Sequence, residues 1–319
     1  MKRLRKFLHD LAAGQGGFAL VLVTAGMVAL LGFAALVADI GTLILEKERL
    51  ANAVDAAALA GAKELPANPA LAVSVAEAYA SQNGCEPDPP AVTAGNGYPD
   101  SKIIVQATKE VKFTFARVLG FNSGTVSARA AAGVAGLTSV KGAAPLAVPN
   151  QSFQFNTRYI LKQGSNSPEP SPLGPGTYGA LSLGGNGAAN YEDNLKYGYE
   201  GKLAVGDVVD TETGNMSNPT KRAIDYRIAL CNHTPPCSPS SFDPGCPRIL
   251  IIPVYEPLLV EQGQVKKIKI SGFAAFLVDR VNGQGNENYI EGYFIRMVIE
   301  GDSSPGQADF GLAGVKLVE

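Results

Sequence analysis

The sequence predicts an α+β protein in which an N-terminal transmembrane helix continues into an α+β unit, followed by a mainly-β, sandwich-like domain. Residues 18–38 form an apolar run without a charged side chain. The helical pattern continues past this run, and no proline interrupts it before Pro66. After residue 142 the chain changes to short alternating runs separated by Gly, Pro, Asn and Ser, which is typical of β-rich folds.

Composition limits the function classes. The 319 residues are enough for two domains, and a hydrophobic content of 46% excludes general disorder. The 27 basic and 29 acidic residues give a net charge of −2, so no nucleic-acid partner is predicted. Two histidines and four cysteines leave little material for catalysis or metal binding. We therefore expect a protein that is not an enzyme and that needs no cofactor or metal.

Residues 1–17 are predicted to be a basic cytoplasmic tip, because they include four basic side chains: Lys2, Arg3, Arg5 and Lys6. As a helix, residues 18–38 would span roughly 31 Å, close to the thickness of a bilayer core. The positive-inside rule then predicts a single-pass cell-membrane protein with a cytoplasmic N-terminus and an extracytoplasmic bulk. The length of the charge-free run disfavours two alternatives, a cleaved secretory signal and a buried soluble helix.

The same helix is expected to continue outside the membrane. Leu43, Leu50, Val54 and either Ala57 or Ala58 recur at helical spacing, and Glu46 lies three residues before Arg49. The outer half is rich in alanine. This composition suits close packing against a sheet or another helix, but it also agrees with helix propensity alone.

Residues 39–137 are predicted to form the α+β unit. A second helix over 70–82 places Leu71, Val75, Ala78 and Tyr79 on one face. Strands are expected at 102–111 and 125–134, with a short helix at 113–119 between them.

Residues 138–142 are predicted to be a linker to a β-rich extracytoplasmic domain over 143–319. The segments 265–278 and 289–299 are expected to form a long hairpin. The candidate strands of this domain are 152–162, 178–183, 203–209, 224–230, 249–255, 265–278, 289–299 and 312–318.

The N-terminal segment resembles the TadE/TadG-like proteins of Flp (tight adherence) pilus assembly. The matching features are the apolar span, the Ala38-Asp39-Ile40-Gly41 exit, the charged patch at 46–49 and the run LANAVDAAALA at 50–60. The resemblance implies a pilin-like unit over 39–137 and an envelope protein that contacts pilus or secretion-apparatus proteins. Pilins cleaved by a prepilin peptidase carry Glu at the fifth mature position. After Gly17 this chain has Leu22 there, so we expect a retained anchor of the TadG-like type.

Two functions follow from this reading. The first is a membrane-anchored component of Flp/Tad-type pilus assembly, or of a related surface apparatus, that acts through protein–protein contacts. The alternative is a membrane-tethered, adhesin-like module whose β-rich domain recognises a glycan or a cell-wall ligand. A cell-surface hydrolase is disfavoured, because no catalytic spacing is evident in the sequence.

Cysteines outside the cytoplasm are expected to form disulfides. One bridge is predicted among Cys231, Cys237 and Cys246, with the third cysteine either free or bridged to Cys85. A Cys3His zinc site that includes His233 is an alternative, disfavoured because the cysteines lack CxxC spacing.

Other polar features receive weaker predictions. Asp39 is expected at the outer headgroup level, with contact to a partner helix as its functional interpretation. A calcium site at Asp207, Asp210 and Glu212 is less favoured than a solvated turn. The glycine-rich segments at 184–187 and 283–285 are interpreted as turns, because neither fits a phosphate-binding motif.

Overall fold

The computed structural model describes residues 2–95, 98–162, 179–212, 214–283, 285–304 and 306–318, with side chains described from residue 19 onward. The side chains of Tyr98, Pro99 and Leu119 are not among those described. The predicted basic side chains of the N-terminal tip and residue 178 of the predicted 178–183 strand therefore lie outside the described part.

The first helix, α1, runs without a break over Lys2–Ala62. Within the described residues it is the one helix long and apolar enough to cross a membrane, and its most apolar window has a mean hydropathy of 2.6. Residues 19–38 are exposed except for half-buried Ala35, and Leu30 and Phe33 are 72% and 68% exposed. The predicted long helix is confirmed, and its apolar N-terminal half has no partner among the described residues.

The outer half of α1 packs on a five-stranded sheet and on a second helix, α2 (Pro69–Gln82). Leu50, Val54, Ala57 and Ala58 are buried, as their spacing predicts. A Cβ on Gly61 would lie 2.7 Å from the Ala72 carbonyl oxygen and 2.9 Å from Ile103 Cδ1. Small residues on α1 therefore allow the helix to lie close to α2 and to the sheet. The sequence left open whether the alanine content reflects close packing or helix propensity alone, and the structure favours close packing.

The helix α2 begins where Asn68 Oδ1 accepts a hydrogen bond from the Leu71 amide at 3.1 Å. Its buried residues are Ala72, Ala76 and Ala80. The predicted apolar face points outward instead, because alanine allows α1 and α2 to approach more closely than larger side chains would. Leu71 is 42% exposed and Tyr79 is 46% exposed.

The five-stranded sheet has the order β1-β2-β3-β13-β12. Strands β1, β2 and β3 form an antiparallel meander, and a 3-10 turn at Ala116–Leu119 replaces the predicted helix at 113–119. The strands of the five-stranded sheet are β1 (Ala91–Gly95), β2 (Tyr98–Lys112), β3 (Ser123–Gly136), β12 (Met297–Val298) and β13 (Leu312–Leu317).

A second sheet has the order β5-β9-β10-β11-β6, with β8 paired to part of β10. The predicted hairpin is confirmed, since β10 and β11 are antiparallel, with Ala275 opposite Ile295. The strands are β5 (Val148–Pro149), β6 (Arg158–Leu161), β8 (Val208–Asp210), β9 (Ile249–Glu261), β10 (Gln264–Asn282) and β11 (Tyr289–Ile295).

Two helices that the sequence analysis missed, α3 (Ala188–Tyr197) and α4 (Ser217–Leu230), pack on the second sheet around Tyr191, Ile224 and Phe276. The predicted strand at 224–230 is wrong, because these residues are the C-terminal half of α4. The buried Ala223, Ile224 and Arg227 have helical spacing, which a seven-residue window is too short to reveal.

The overall α+β class with a mainly-β region is confirmed. Of the predicted 178–183 strand, Ala180 and Leu181 form isolated bridges. Residues 138–142, predicted to be a linker, include the strand β4 (Ser139–Val140), which pairs with β7 (Leu203–Ala204).

The C-terminal strand β13 lies in the first sheet, antiparallel to β3, with Val315 opposite Val134. The predicted 312–318 strand therefore forms, but it pairs with β3 of the N-terminal unit and with the short strand β12, and not with the second sheet. The division into domains at 138–142 stays a prediction, with the C-terminal strand contributed to the N-terminal sheet.

Candidate functional site

The first candidate site is the junction where α1 meets the loop between β2 and β3, residues 113–122. Asp39, the first residue after the predicted span, is only 5% exposed. Its carboxylate accepts hydrogen bonds from the backbone amides of Thr114 (2.8 Å), Phe115 (2.9 Å) and Ala116 (2.6 Å). One side chain of α1 thus fixes the turn that joins two strands.

This contact lies at the start of the 3-10 turn, where backbone N–H groups have no acceptor within the turn. An acidic side chain is the suitable acceptor at such a position. The contact of Asp39 with a partner helix stays a prediction; in the structure its carboxylate oxygens accept hydrogen bonds from the protein's own backbone, more than 70 residues along the chain.

Exposed apolar side chains surround the junction. On the loop, Phe115, Val118 and Phe121 are 49%, 89% and 65% exposed. On α1, Ile40 and Ile44 are half exposed just beyond the predicted span. Exposed apolar surface is typical of sites that contact a membrane or a protein, and on α1 it follows the exposed apolar residues 19–38.

A second contact braces the helix two turns further out. Glu46 receives Arg49 Nη1 at 2.7 Å on α1 and Lys109 Nζ at 2.6 Å from β2. Glu46 and Arg49, which are three residues apart on α1, form an ion pair, and Lys109 extends it to the sheet. At Gly124 a Cβ would lie 2.6 Å from Leu43 Cδ1, so helix and strand approach closely here as well. The helix and the sheet are therefore joined by hydrogen bonds, an ion pair and close packing at the level of the predicted membrane exit.

Three of the four predicted site cysteines lie together. The Sγ atoms of Cys231, Cys237 and Cys246 and a ring nitrogen of His233 all lie within 4.8 Å of one another. Hydrogen bonding to His233 lowers the pKa of Cys231 to about 6, and burial raises the pKa of Cys246 to about 12.

Cys85 lies elsewhere, buried in the core around α1, and burial raises its pKa. All four cysteines are free thiols in the structure. The predicted disulfides therefore stay predictions, and the geometry brings together the alternative Cys3His set.

The acidic run at 207–212 is not brought together. Asp207 accepts a hydrogen bond from the Ala204 amide at 2.8 Å, and Asp210 pairs with Lys267 at 2.6 Å. Glu212 is buried and accepts a hydrogen bond from the Gly187 amide at 3.0 Å. Each carboxylate has a separate partner. These residues therefore do not form the calcium site that the sequence offered as an alternative to a solvated turn.

Sequence reasoning missed Lys162, which follows β6. Its side chain is only 2% exposed, and Nζ donates to Asn288 Oδ1 at 2.8 Å and to Asn215 Oδ1 at 3.4 Å. Burial lowers the pKa of Lys162 to about 7. A single lysine at the end of a short strand offers no sequence signal for this, because burial depends on the partners at 215 and 288.

Comparison with known protein families finds a match in the α1 region. Residues 16–64 match the family model described as "Putative Flp pilus-assembly TadE/G-like". The match covers most of α1 and the turn after it, and confirms the resemblance in this segment. No curated protein and no solved structure matches the chain.

Proposed function

We propose that this protein is a membrane-anchored component of Flp/Tad-type pilus assembly that acts through protein–protein contacts and not through catalysis. The proposal rests on two features of the same segment. Residues 16–64 match the family model, and most of them lie in an exposed apolar helix whose outer part is bonded to a folded sheet. The family match supports a role related to pilus assembly. Anchoring and partner contact are the parts that need experiment.

In this proposal α1 is retained as the anchor, with the N-terminus in the cytoplasm. The charge-free run and Leu22 at the fifth position after Gly17 support retention over cleavage. N-terminal mass analysis of the membrane-extracted protein is expected to find the chain uncut at Gly17. A mature N-terminus at Phe18 would contradict retention, while leaving a role in pilus assembly open.

The loop at 113–122 is proposed to lie in the lipid headgroup region. Asp39 holds this loop against α1 at the end of the predicted span, and a helix that crosses the membrane there would bring Phe115 and Val118 to the bilayer surface. Aromatic and aliphatic side chains next to an exposed basic residue, Arg117, suit that region. The joint would then set the height of the sheet above the membrane.

The outward face of α2 is the proposed protein-contact surface, because Leu71 and Tyr79 remain exposed while alanines fill the inner face. Exposed apolar and aromatic side chains are typical anchors of protein interfaces. Photo-crosslinking from position 79 in cells that assemble the pilus is expected to capture a pilus-apparatus protein. The matched control is position 77, an exposed glutamate on the same helix.

Genetic complementation tests the whole proposal. Deletion of the gene is expected to abolish surface pili, and the full chain is expected to restore them. The double variant Leu71→Asp, Tyr79→Ser should accumulate in the membrane and fail to restore pili, because it removes exposed contacts without touching the core. Unchanged piliation after deletion, together with specific glycan binding by the protein, would favour the adhesin-like alternative.

A further inference from the structure

The segment between α4 and β9, residues 231–248, is 18 residues long and contains no helix or ladder strand beyond a single bridge between Ser238 and Ser241. Loops of this length without secondary structure are uncommon in compact folds unless something holds them. Five prolines lie in it, at positions 235, 236, 239, 244 and 247. Parts of the segment are nevertheless buried: Cys237 and Cys246 are 7% and 3% exposed.

We propose that Cys231, His233, Cys237 and Cys246 form a structural zinc site that holds this segment together. Their four ligand atoms lie within 4.8 Å of one another, and Cys3His is an established ligand set for structural zinc. The spacing C-x-H-x3-C-x8-C departs from the usual CxxC arrangement, and for this reason the sequence alone favours disulfides.

Three of the six distances between ligand atoms fit one tetrahedral ion, and the other three are within 4.8 Å. Zinc bonds of about 2.3 Å to sulfur and 2.0–2.1 Å to nitrogen place two ligand atoms about 3.5–3.8 Å apart. His233 Nδ1 lies 3.6 Å from Cys231 Sγ and 3.5 Å from Cys237 Sγ. Cys246 Sγ lies 3.5 Å from Cys231 Sγ, well beyond the ~2.05 Å of a disulfide bond.

The surroundings of the four ligands resemble a supported metal site. Metal-bound histidines usually donate their other ring N–H to a carboxylate, a backbone carbonyl or water. The Asp243 carboxylate lies on that side of His233, with Oδ2 3.8 Å from Nε2, which is longer than a hydrogen bond. Arg248 closes the segment, with Nη1 donating to the Cys237 carbonyl at 3.1 Å and Nε donating to the Val278 carbonyl on β10 at 2.8 Å. Four protein ligands leave no open position, so the role is structural and not catalytic.

Metal content of the full chain tests the proposal. The protein is purified in detergent from membranes, with a tag that contains no histidine, and its zinc is measured by mass spectrometry. We expect roughly one zinc per chain in the wild type. Cys237→Ser and His233→Ala should each lose most of it, while the matched control Cys85→Ser, whose thiol lies in the other core, should retain it.

Asp243→Asn gives a finer test, because loss of an outer-sphere carboxylate is expected to weaken zinc affinity about 10–100-fold while leaving the four ligands in place. If the cysteine and histidine variants fail to fold, cobalt substitution of the wild type replaces them. Thiolate charge-transfer bands and the strong visible absorption of tetrahedral cobalt would support the site.

Three results would overturn the proposal. The first is metal-free protein in which two of Cys231, Cys237 and Cys246 form a disulfide under non-reducing mass analysis. The second is equal zinc in the wild type, His233→Ala and Cys237→Ser, which would show adventitious binding. The third is a cobalt spectrum without thiolate bands.

Discussion

Two regions of this protein, the unit around α1 and the unit around the second sheet, fill their cores in opposite ways. Around α1, the core is built from small residues: Ala57, Ala58, Ala62, Ala72, Ala76 and Ala80 are all fully buried. The second sheet has a core on each face, and both contain large side chains: Phe273 in one, and Phe276, Phe294 and Tyr191 in the other. The first arrangement brings a long helix close to a sheet and a second helix, whereas the second supplies its stability by burying large apolar side chains. The two regions should therefore respond oppositely to added and to removed side-chain volume.

Phe276→Ala should have the largest effect on stability. Phe276 is fully buried on β10, in ring contact with Phe294 at a centroid distance of 5.1 Å. We expect a loss of about 3–5 kcal/mol, from lost burial and from the cavity. Chemical denaturation in detergent, followed by a probe in the second sheet, measures it. A loss below about 1 kcal/mol would contradict the large-residue description of this core.

Gly61→Val tests the small-residue core in the other direction. A side chain at this position meets Ala72 and Ile103 at distances too short for any rotamer to avoid. We expect destabilisation of about 3 kcal/mol, the upper part of the range for overpacking. Gly41→Val on the same helix is the control, because nothing lies within 4 Å of a Cβ there. Equal effects of the two variants would indicate helix propensity, not packing.

Lys162→Met tests the buried lysine in the second region. The folded state releases the Lys162 proton near pH 7, whereas the unfolded chain holds it to about pH 10.5. Stability should therefore rise with pH between these values, by roughly 1 kcal/mol from pH 7 to pH 8 for this one group. The variant should lose this part of the pH dependence in denaturation curves measured across that window. An identical slope in both proteins would place the Lys162 ammonium in solvent.

Asp39→Ala should have a local effect. The amides of residues 114–116 lose their acceptor, while the cores of both regions stay intact. Hydrogen exchange at these amides is expected to become about tenfold faster, with little change elsewhere. Asp39→Asn, which keeps an acceptor oxygen, should restore part of the protection. Unchanged exchange in Asp39→Ala would mean that the carboxylate does not hold the loop.

The helix α1 was predictable from sequence because its signals are local: hydropathy over one span, alanine content and the 3.6-residue period. The hairpin of β10 and β11 was predictable for the same reason. The strand β13 was predicted, but its place beside β3 was not, since pairing across about 180 residues leaves no local trace. The helix α4 was missed because a seven-residue window does not separate helical from strand spacing.

In the candidate sites, too, local features were visible in the sequence and long-range contacts were not. Asp39 was visible as an acid at the end of an apolar span, but its acceptor role depends on a loop brought back by the β2–β3 hairpin. The cysteines were visible as a set, but the position of His233 between Cys231 and Cys237 is a property of the folded segment. Lys162 carried no signal, because its burial is set by residues far along the chain.

The central claim is that the region around α1 is built to sit at a membrane surface. The most direct measurement places a fluorescent amino acid at Val118 of the full chain in liposomes that carry a headgroup-level lipid quencher. A probe at Ser74, an exposed residue of α2, serves as the control. We expect strong quenching at position 118 and weak quenching at position 74. Equal, weak quenching at both positions would contradict it.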